Sequence, residues 1–303
     1  MAYEWPNYDP TMVALLHPEE SHPEGLHVGG GGWPVEAVCA EFARLAYFRF
    51  EEPEGEARLI AALAQAGFGP PKLFNSKIPT FGNPLRRFLQ SVRARDAQAF
   101  ASSSDDGDVT ILAFRGTQAD STGDLVSDLW AFRHSTSLGK VHKGFWLAYQ
   151  SLADKIGAWL AEAPPRRLIV TGHSLGAAMA TVMAALHKDV ELITFGCPLV
   201  GDRRFAEAFG REALRYVDCA DVVTTVPYRF MGYVHFGRLR YIDRHGTVHE
   251  SVPDQAWIDE DRRQAGLDYR RYRGRTGVVP LRRGADHAPV NYVSAVAGKR
   301  NDP

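Results

Sequence analysis

The stretch that most constrains the chain runs from Leu168 to Ala180. Leu168-Ile169-Val170-Thr171 leads into Gly172-His173-Ser174-Leu175-Gly176, and Ala177-Ala178-Met179-Ala180 carries the chain away. An apolar, partly β-branched run, a glycine-flanked serine and a row of helix formers reaching Leu186 read as strand, sharp turn and helix. The glycines have a steric reason: a residue at the tip of such a turn is strained, and side chains on its flanks collide with the adjoining strand and helix. The turn lifts the Ser174 hydroxyl clear of the backbone at a helix N-terminus. There the Leu175 amide and the helix dipole favour a developing negative charge. Five positions with two of them free match often by chance, so it is the setting between strand and helix that makes Ser174 a candidate nucleophile.

The rest of the sequence narrows the class. The chain has 303 residues and 45% hydrophobic content, enough for a substantial core. Lys plus Arg (35) nearly balances Asp plus Glu (36), so no overall field points to nucleic acid or a polyanionic partner. Cys39, Cys197 and Cys219 are odd in number and widely spaced. That pattern fits neither a disulfide framework nor a zinc site, and makes them small core residues of a reducing compartment. His17, His22 and His27 do not have metal-ligand spacing. No apolar run has the length of a membrane span, and Met1 to Pro10 has no basic start followed by an apolar stretch. The expectation is a cytoplasmic protein, although a mature secreted form reads the same.

Along the chain, residues 1–32 read as an irregular arm. Pro34 to Tyr47 and Ala57 to Ala66 have helical spacing, and Pro70 to Pro84, with four prolines, reads as loop. Asp96 to Ser102 and Asp108 to Arg115 read as strands joined by a turn, the second delivering Arg115-Gly116-Thr117. Gly144 to Ala163 is an amphipathic helix stopped by Pro164-Pro165, and Val190 to Phe195, Arg203 to Phe209 and Ala213 to Val217 continue as strand, helix and strand. This alternation around a serine turn is the pattern of a parallel or mixed sheet covered on both faces. Val234 to Phe236, Leu239 to Ile242 and Val248 are candidates for terminal antiparallel strands, and Asp254 to Arg283 is Arg-rich and weakly periodic.

A serine hydroxyl needs a base, and the base needs a carboxylate to hold its tautomer. In α/β enzymes of this kind the partners follow as Ser, acid, His. His187 lies too far along the nucleophile helix to turn back, and the His173 side chain is expected to point away. Of the remaining downstream histidines, His235, His245, His249 and His287, the last stands out in the polar loop Gly284-Ala285-Asp286-His287-Ala288-Pro289. For the acid, Asp221 follows a strand, with Asp218 and Asp202 as competitors. His142 reads as a structural, hydrogen-bonding histidine.

Phe114-Arg115-Gly116-Thr117, Val141-His142-Lys143-Gly144-Phe145, Val170 to Ala177, Thr194-Phe195-Gly196-Cys197-Pro198, Asp221-Val222-Val223 and Asp286-His287 occur in one order. In this combination the chain resembles the class 3 (fungal-type) triacylglycerol lipases from about Asp96 to Tyr292. The resemblance implies an α/β-hydrolase-like fold, with a central, mostly parallel sheet and helices on both faces. It implies Ser174 as nucleophile, Asp221 as acid, His287 as base, and Thr117 with Leu175 as oxyanion hole. It also implies a serine-dependent carboxylic ester hydrolase, most simply an acylglycerol lipase, needing no cofactor and no metal and acting on a lipid or small ester at a lipid–water interface. A phospholipase, acyltransferase or short-chain esterase uses the same triad, and a non-catalytic lipid-binding protein retains the fold. Leu199 and Asp202 depart from the Arg and Asn common in that family.

Residues 1–303 are expected to form a single domain, with an N-terminal arm and helices over 1–95 and a catalytic core over 96–295. Within the core, residues 118–132 set Leu125, Val126, Leu129, Trp130 and Phe132 apart from Asp120, Asp124 and Asp128. This amphipathic stretch stands where the family has a lid, and reads equally as a fixed surface helix. The arginines from Arg262 to Arg283 read as a solvated face, with anionic head groups as the alternative.

Overall fold

The computed structural model describes residues 5, 7–22, 24–25, 32–76, 97–116, 133–210 and 212–300. Thr117 and the candidate lid 118–132 lie outside the described residues. The elements in chain order are α1 (Met12–Leu16), α2 (Pro18–Ser21), α3 (Val35–Leu45), α4 (Pro53–Gln65), β1 (Lys72–Asn75), β2 (Gln98–Ser103), β3 (Thr110–Phe114), β4 (Arg133–Thr136) and β5 (Gly139–His142). They continue with α5 (Lys143–Glu162), β6 (Leu168–His173), α6 (Leu175–Leu186), β7 (Val190–Phe195), α7 (Arg203–Phe209), β8 (Leu214–Asp218), β9 (Arg238–Ile242), β10 (Val248–His249), α8 (Gln255–Asp268), α9 (Arg282–Ala285) and α10 (Pro289–Val296).

The central sheet has the order β1-β2-β3-β6-β7-β8-β9-β10. Neighbours from β3 to β9 run parallel, and β1, β2 and β10 are added antiparallel at the edges. Its strands β3 and β6 are buried at every position and mostly apolar because both faces are covered. Successive side chains point to opposite faces. Ile111, Ala113, Ile169, Ile193 and Phe195 therefore enter one core, with Phe42 of α3, Leu59 of α4 and Val293 of α10. Leu112, Phe114, Leu168, Val170 and Leu192 enter the other, with Leu152 of α5, Met179 of α6 and Phe205 of α7. The interior of α6 is buried on all sides, which its run of Ala and Met without a charge permits.

Several elements differ from the sequence reading. Leu239 to Ile242 lies in β9, which runs parallel to β8, pairing Leu214 with Arg238 through Asp218 with Ile242. The chain between them returns through short 3-10 turns rather than a helix. Val234 makes an isolated bridge to Gly201 rather than a strand. The proline-rich segment after Phe68 contains β1, an edge strand paired with β2. The arm holds the short helices α1 and α2, the first capped by the Thr11 side chain accepting from Ala14 N. The Arg-rich stretch contains α8, capped by Asp254.

Candidate active site

Ser174 sits between the last residue of β6 and the first of α6, with φ +58° and ψ −126°. Its amide donates to Phe195 O at 3.1 Å, which ties the turn to β7. The two motif glycines are needed for backbone approach. A Cβ on Gly172 would lie 2.4 Å from the Gly176 carbonyl carbon, and one on Gly176 would lie 2.1 Å from Phe114 O. Leu175 opens α6, whose first amides lack intrahelical acceptors and point toward the serine turn. Gly116 is equally crowded: a Cβ there would meet the Tyr47 hydroxyl and lie 2.8 Å from His173 O. The end of β3, just before Thr117, is thus packed onto the nucleophile turn.

The loops after β8 and α9 bring the acid and base together. His287 Nδ1 and Asp221 Oδ2 are 2.8 Å apart, both side chains buried. Asp221 also accepts from the Tyr292 hydroxyl at 2.6 Å and from Val223 N at 2.8 Å. These donors fix the carboxylate so that its oxygen meets Nδ1 and leaves the other ring nitrogen available. His287 Nε2 is buried and has no hydrogen-bond partner among the described residues. Gly196, at φ +57°, permits the approach: a Cβ there would lie 3.0 Å from both Asp221 Oδ2 and His287 Cε1.

His173 does not point away. Its ring centroid is 4.4 Å from that of His287, and its Nδ1 is 2.9 Å from the Tyr47 hydroxyl. Burial, and then the charge of His287, hold His173 well below the usual histidine range, so it packs on the base as a neutral ring. The reason is geometric: the turn at Ser174 reverses the chain, so the preceding residue still lies on the sheet face covered by α3 and α10. Sequence reasoning missed His173, Tyr47, Tyr292 and Gly196 as neighbours of the candidate pair. Tyr292, one turn into the helix after His287, was the only one of them with a local signal.

The competing acids have other partners. Asp218 is held by Arg300 at 2.5 Å, and Asp202 caps α7 by accepting from Phe205 N at 2.9 Å. Leu199, the other departure from the family pattern, is buried, its amide donating to Val226 O at 2.9 Å. His235, which burial holds well below the usual range, meets Thr224 O, while His249 pairs with Asp243 and His187 with Tyr149. His142 caps α5 by accepting from Phe145 N. Cys39, Cys197 and Cys219 are free and buried. Among the described residues, His17, Glu19 and Glu20 bring three possible ligand groups within 4.8 Å, a closeness their spacing did not suggest. No helix among the described residues is long and apolar enough to cross a membrane.

A serine at a strained strand-to-helix turn, on a parallel sheet covered by helices, defines the architecture of the α/β-hydrolases. Residues 111–231 match the sequence profile of the class 3 lipases. Over that stretch the chain is similar to the class 3, fungal-type, lipases, and its sheet and helices have the α/β-hydrolase architecture. The Rhizopus niveus lipase is 30% identical over 161 residues, 47% of this chain and 41% of that protein. Secreted mono- and diacylglycerol lipase A of Penicillium cyclopium is 28% identical over 180 residues, 55% of this chain and 58% of that one. The chain thus spans about half the length of the curated relatives it matches. The Rhizomucor miehei triacylglyceride lipase superposes with a TM-score of 0.51 at 25% identity, covering 68% of this chain and 77% of that one. The cytoplasmic expectation is corrected by these relatives. The Penicillium protein is named as secreted, which points to an extracellular setting.

Proposed function

We propose that the chain is a serine carboxylic ester hydrolase acting on acylglycerols through an acyl-enzyme on Ser174. The observation that carries this is the buried His287–Asp221 pair packed on His173, the residue that precedes a serine held at positive φ on the helix N-terminus. Asp221, oriented by Tyr292 and Val223 N, keeps the Nδ1 proton in place and stabilises the imidazolium. His287 Nε2 takes the Ser174 proton as Oγ attacks the acyl carbonyl. The Leu175 amide and, by its place after Gly116, Thr117 receive the oxyanion. His287 then protonates the leaving alcohol. In the second half-reaction it deprotonates water, which attacks the acyl carbon and returns Ser174.

The relatives support acylglycerols as the ester class, being named a lipase and a mono- and diacylglycerol lipase. We read the described chain as one catalytic unit, because α3 and α4 close the same core as β3 and α10. An ester series from short p-nitrophenyl esters to emulsified long-chain triglycerides, with Ser174→Ala as blank, tests the proposal. Turnover that rises on emulsified acylglycerols and drops on the order of a millionfold in the variant is expected. Turnover confined to short dissolved esters makes the chain an esterase, and release of phospholipid head groups instead makes it a phospholipase.

A further inference from the structure

Behind the loop that carries Asp221 lies a cavity of about 420 Å³ that neither Ser174 nor His287 lines. Its wall includes Arg262, Arg263, Arg273, Arg282 and Arg283 against a single carboxylate, Asp259. Two of these cations are already matched, Arg282 by Asp286 and Arg263 by Glu260. The other three have no carboxylate partner among the described residues. Arg262 gives Nε to Cys219 O and rests on the Tyr241 ring, which aims its guanidinium rather than neutralising it. Three unmatched guanidinium groups around one concavity form a site for an anion, and their forked donors match phosphate oxygens. The volume lies in the range of small-molecule pockets, so it accommodates a substituted phosphate.

The surroundings indicate where that phosphate comes from. Leu281, on the cavity wall, is 59% exposed. Thr225 is also on the wall, and Tyr228, only three residues on, lies within about 11 Å of it between Cα atoms. The Tyr228 and Phe230 rings stack at 5.5 Å with Phe230 86% exposed, and Arg229 stands between them, exposed. Exposed aromatic and aliphatic side chains interleaved with arginine suit the boundary between water and an anionic lipid surface.

We propose that this arginine cavity binds the phosphate of an anionic phospholipid headgroup and seats the protein on the lipid surface, independently of the ester bond cleaved at Ser174. The lipid setting rests on the acylglycerol reading; the phosphate chemistry does not. Arg283 meets the loop of Asp221 only through its backbone carbonyl, which accepts from Val222 N at 3.0 Å, so a change of its side chain leaves that contact in place.

The test is co-sedimentation of the full chain with vesicles of ether-linked phosphatidylcholine, which it cannot hydrolyse, with and without ether-linked phosphatidylglycerol. The parent should prefer the phosphatidylglycerol vesicles, with a preference that added salt erodes. Arg273→Gln with Arg283→Gln should lower that binding roughly 25-fold, about fivefold per arginine, and leave binding to pure phosphatidylcholine unchanged. Arg273→Lys with Arg283→Lys should retain most of the attraction. Equal binding by the Gln pair and the parent, or no preference in the parent, overturns the proposal. Binding of glycerol 3-phosphate by calorimetry without any vesicle preference assigns the cavity to a dissolved phosphate ester and overturns the lipid assignment. Hydrolysis of p-nitrophenyl butyrate, read alongside, should be the same in parent and Gln pair. If the parent fails to hydrolyse it, the ester-hydrolase reading falls whatever the vesicles show.

Discussion

Ser174 holds φ at +58°, a conformation that costs a non-glycine residue roughly 1–3 kcal/mol. The surrounding hydrogen bonds hold it there, and the neighbouring side chains share the burden of keeping the site polar and buried. His173 is the clearest case. Its folded pKa is depressed, so its stabilising effect is complete above the unfolded value near 6.5 and declines as pH falls below it, toward the folded value. Urea midpoints measured from pH 7.5 down to 5 should fall, and His173→Gln should remove up to about 1.4 kcal/mol per pH unit of that slope. An unchanged slope would mean that His173 protonates freely in the fold. Tyr292 joins two groups, donating to Asp221 Oδ2 and accepting from Asp218 N. Tyr292→Phe leaves a buried amide without its acceptor, and should cost about 1–3 kcal/mol in urea unfolding.

Glycines separate two kinds of helical position. Gly176 in α6 has the Phe114 carbonyl oxygen 2.1 Å from where a Cβ would be, so β3 and α6 must part to admit one. Gly157 in α5 has nothing within 4 Å of that point. Gly176→Ala should therefore destabilise by about 1–3 kcal/mol or more, while Gly157→Ala should stabilise by about 0.5–1 kcal/mol, both read as urea midpoints. Those elements were legible because their patterns are strong: β3, β6 and β7 are short runs dominated by β-branched and other apolar residues, and α5 and α7 carry clear stops or caps. β4 and β5 were not. Their Arg-His-Ser-Thr and Gly-Lys-Val-His form a hairpin with little apolar alternation. β9 looked like part of a terminal meander, and its parallel pairing with β8 is set by a non-local crossover that no local pattern encodes.

Across the molecule, the ends of the chain meet behind the candidate triad. Tyr8 donates to Asp286 at 2.8 Å, between the guanidinium groups of Arg282 and Arg300, which lie 4.8 and 4.6 Å from its ring. Asn291 bonds both the amide and the carbonyl of Asp9. The N-terminal segment thus braces the loop that presents His287, a partnership across some 280 residues that sequence spacing could not display. The order of the candidate Ser, acid and His was readable, because it follows the order of strands in the sheet. Their supporting contacts were not, because they join faces of distant helices.

The central claim is a covalent acyl intermediate on Ser174, and intact-mass analysis with peptide mapping of the chain quenched during p-nitrophenyl butyrate turnover tests it most directly. One butyryl group should appear on the peptide bearing Ser174 and be absent from Ser174→Ala. An acyl group on another residue, or undiminished hydrolysis by Ser174→Ala, would contradict it.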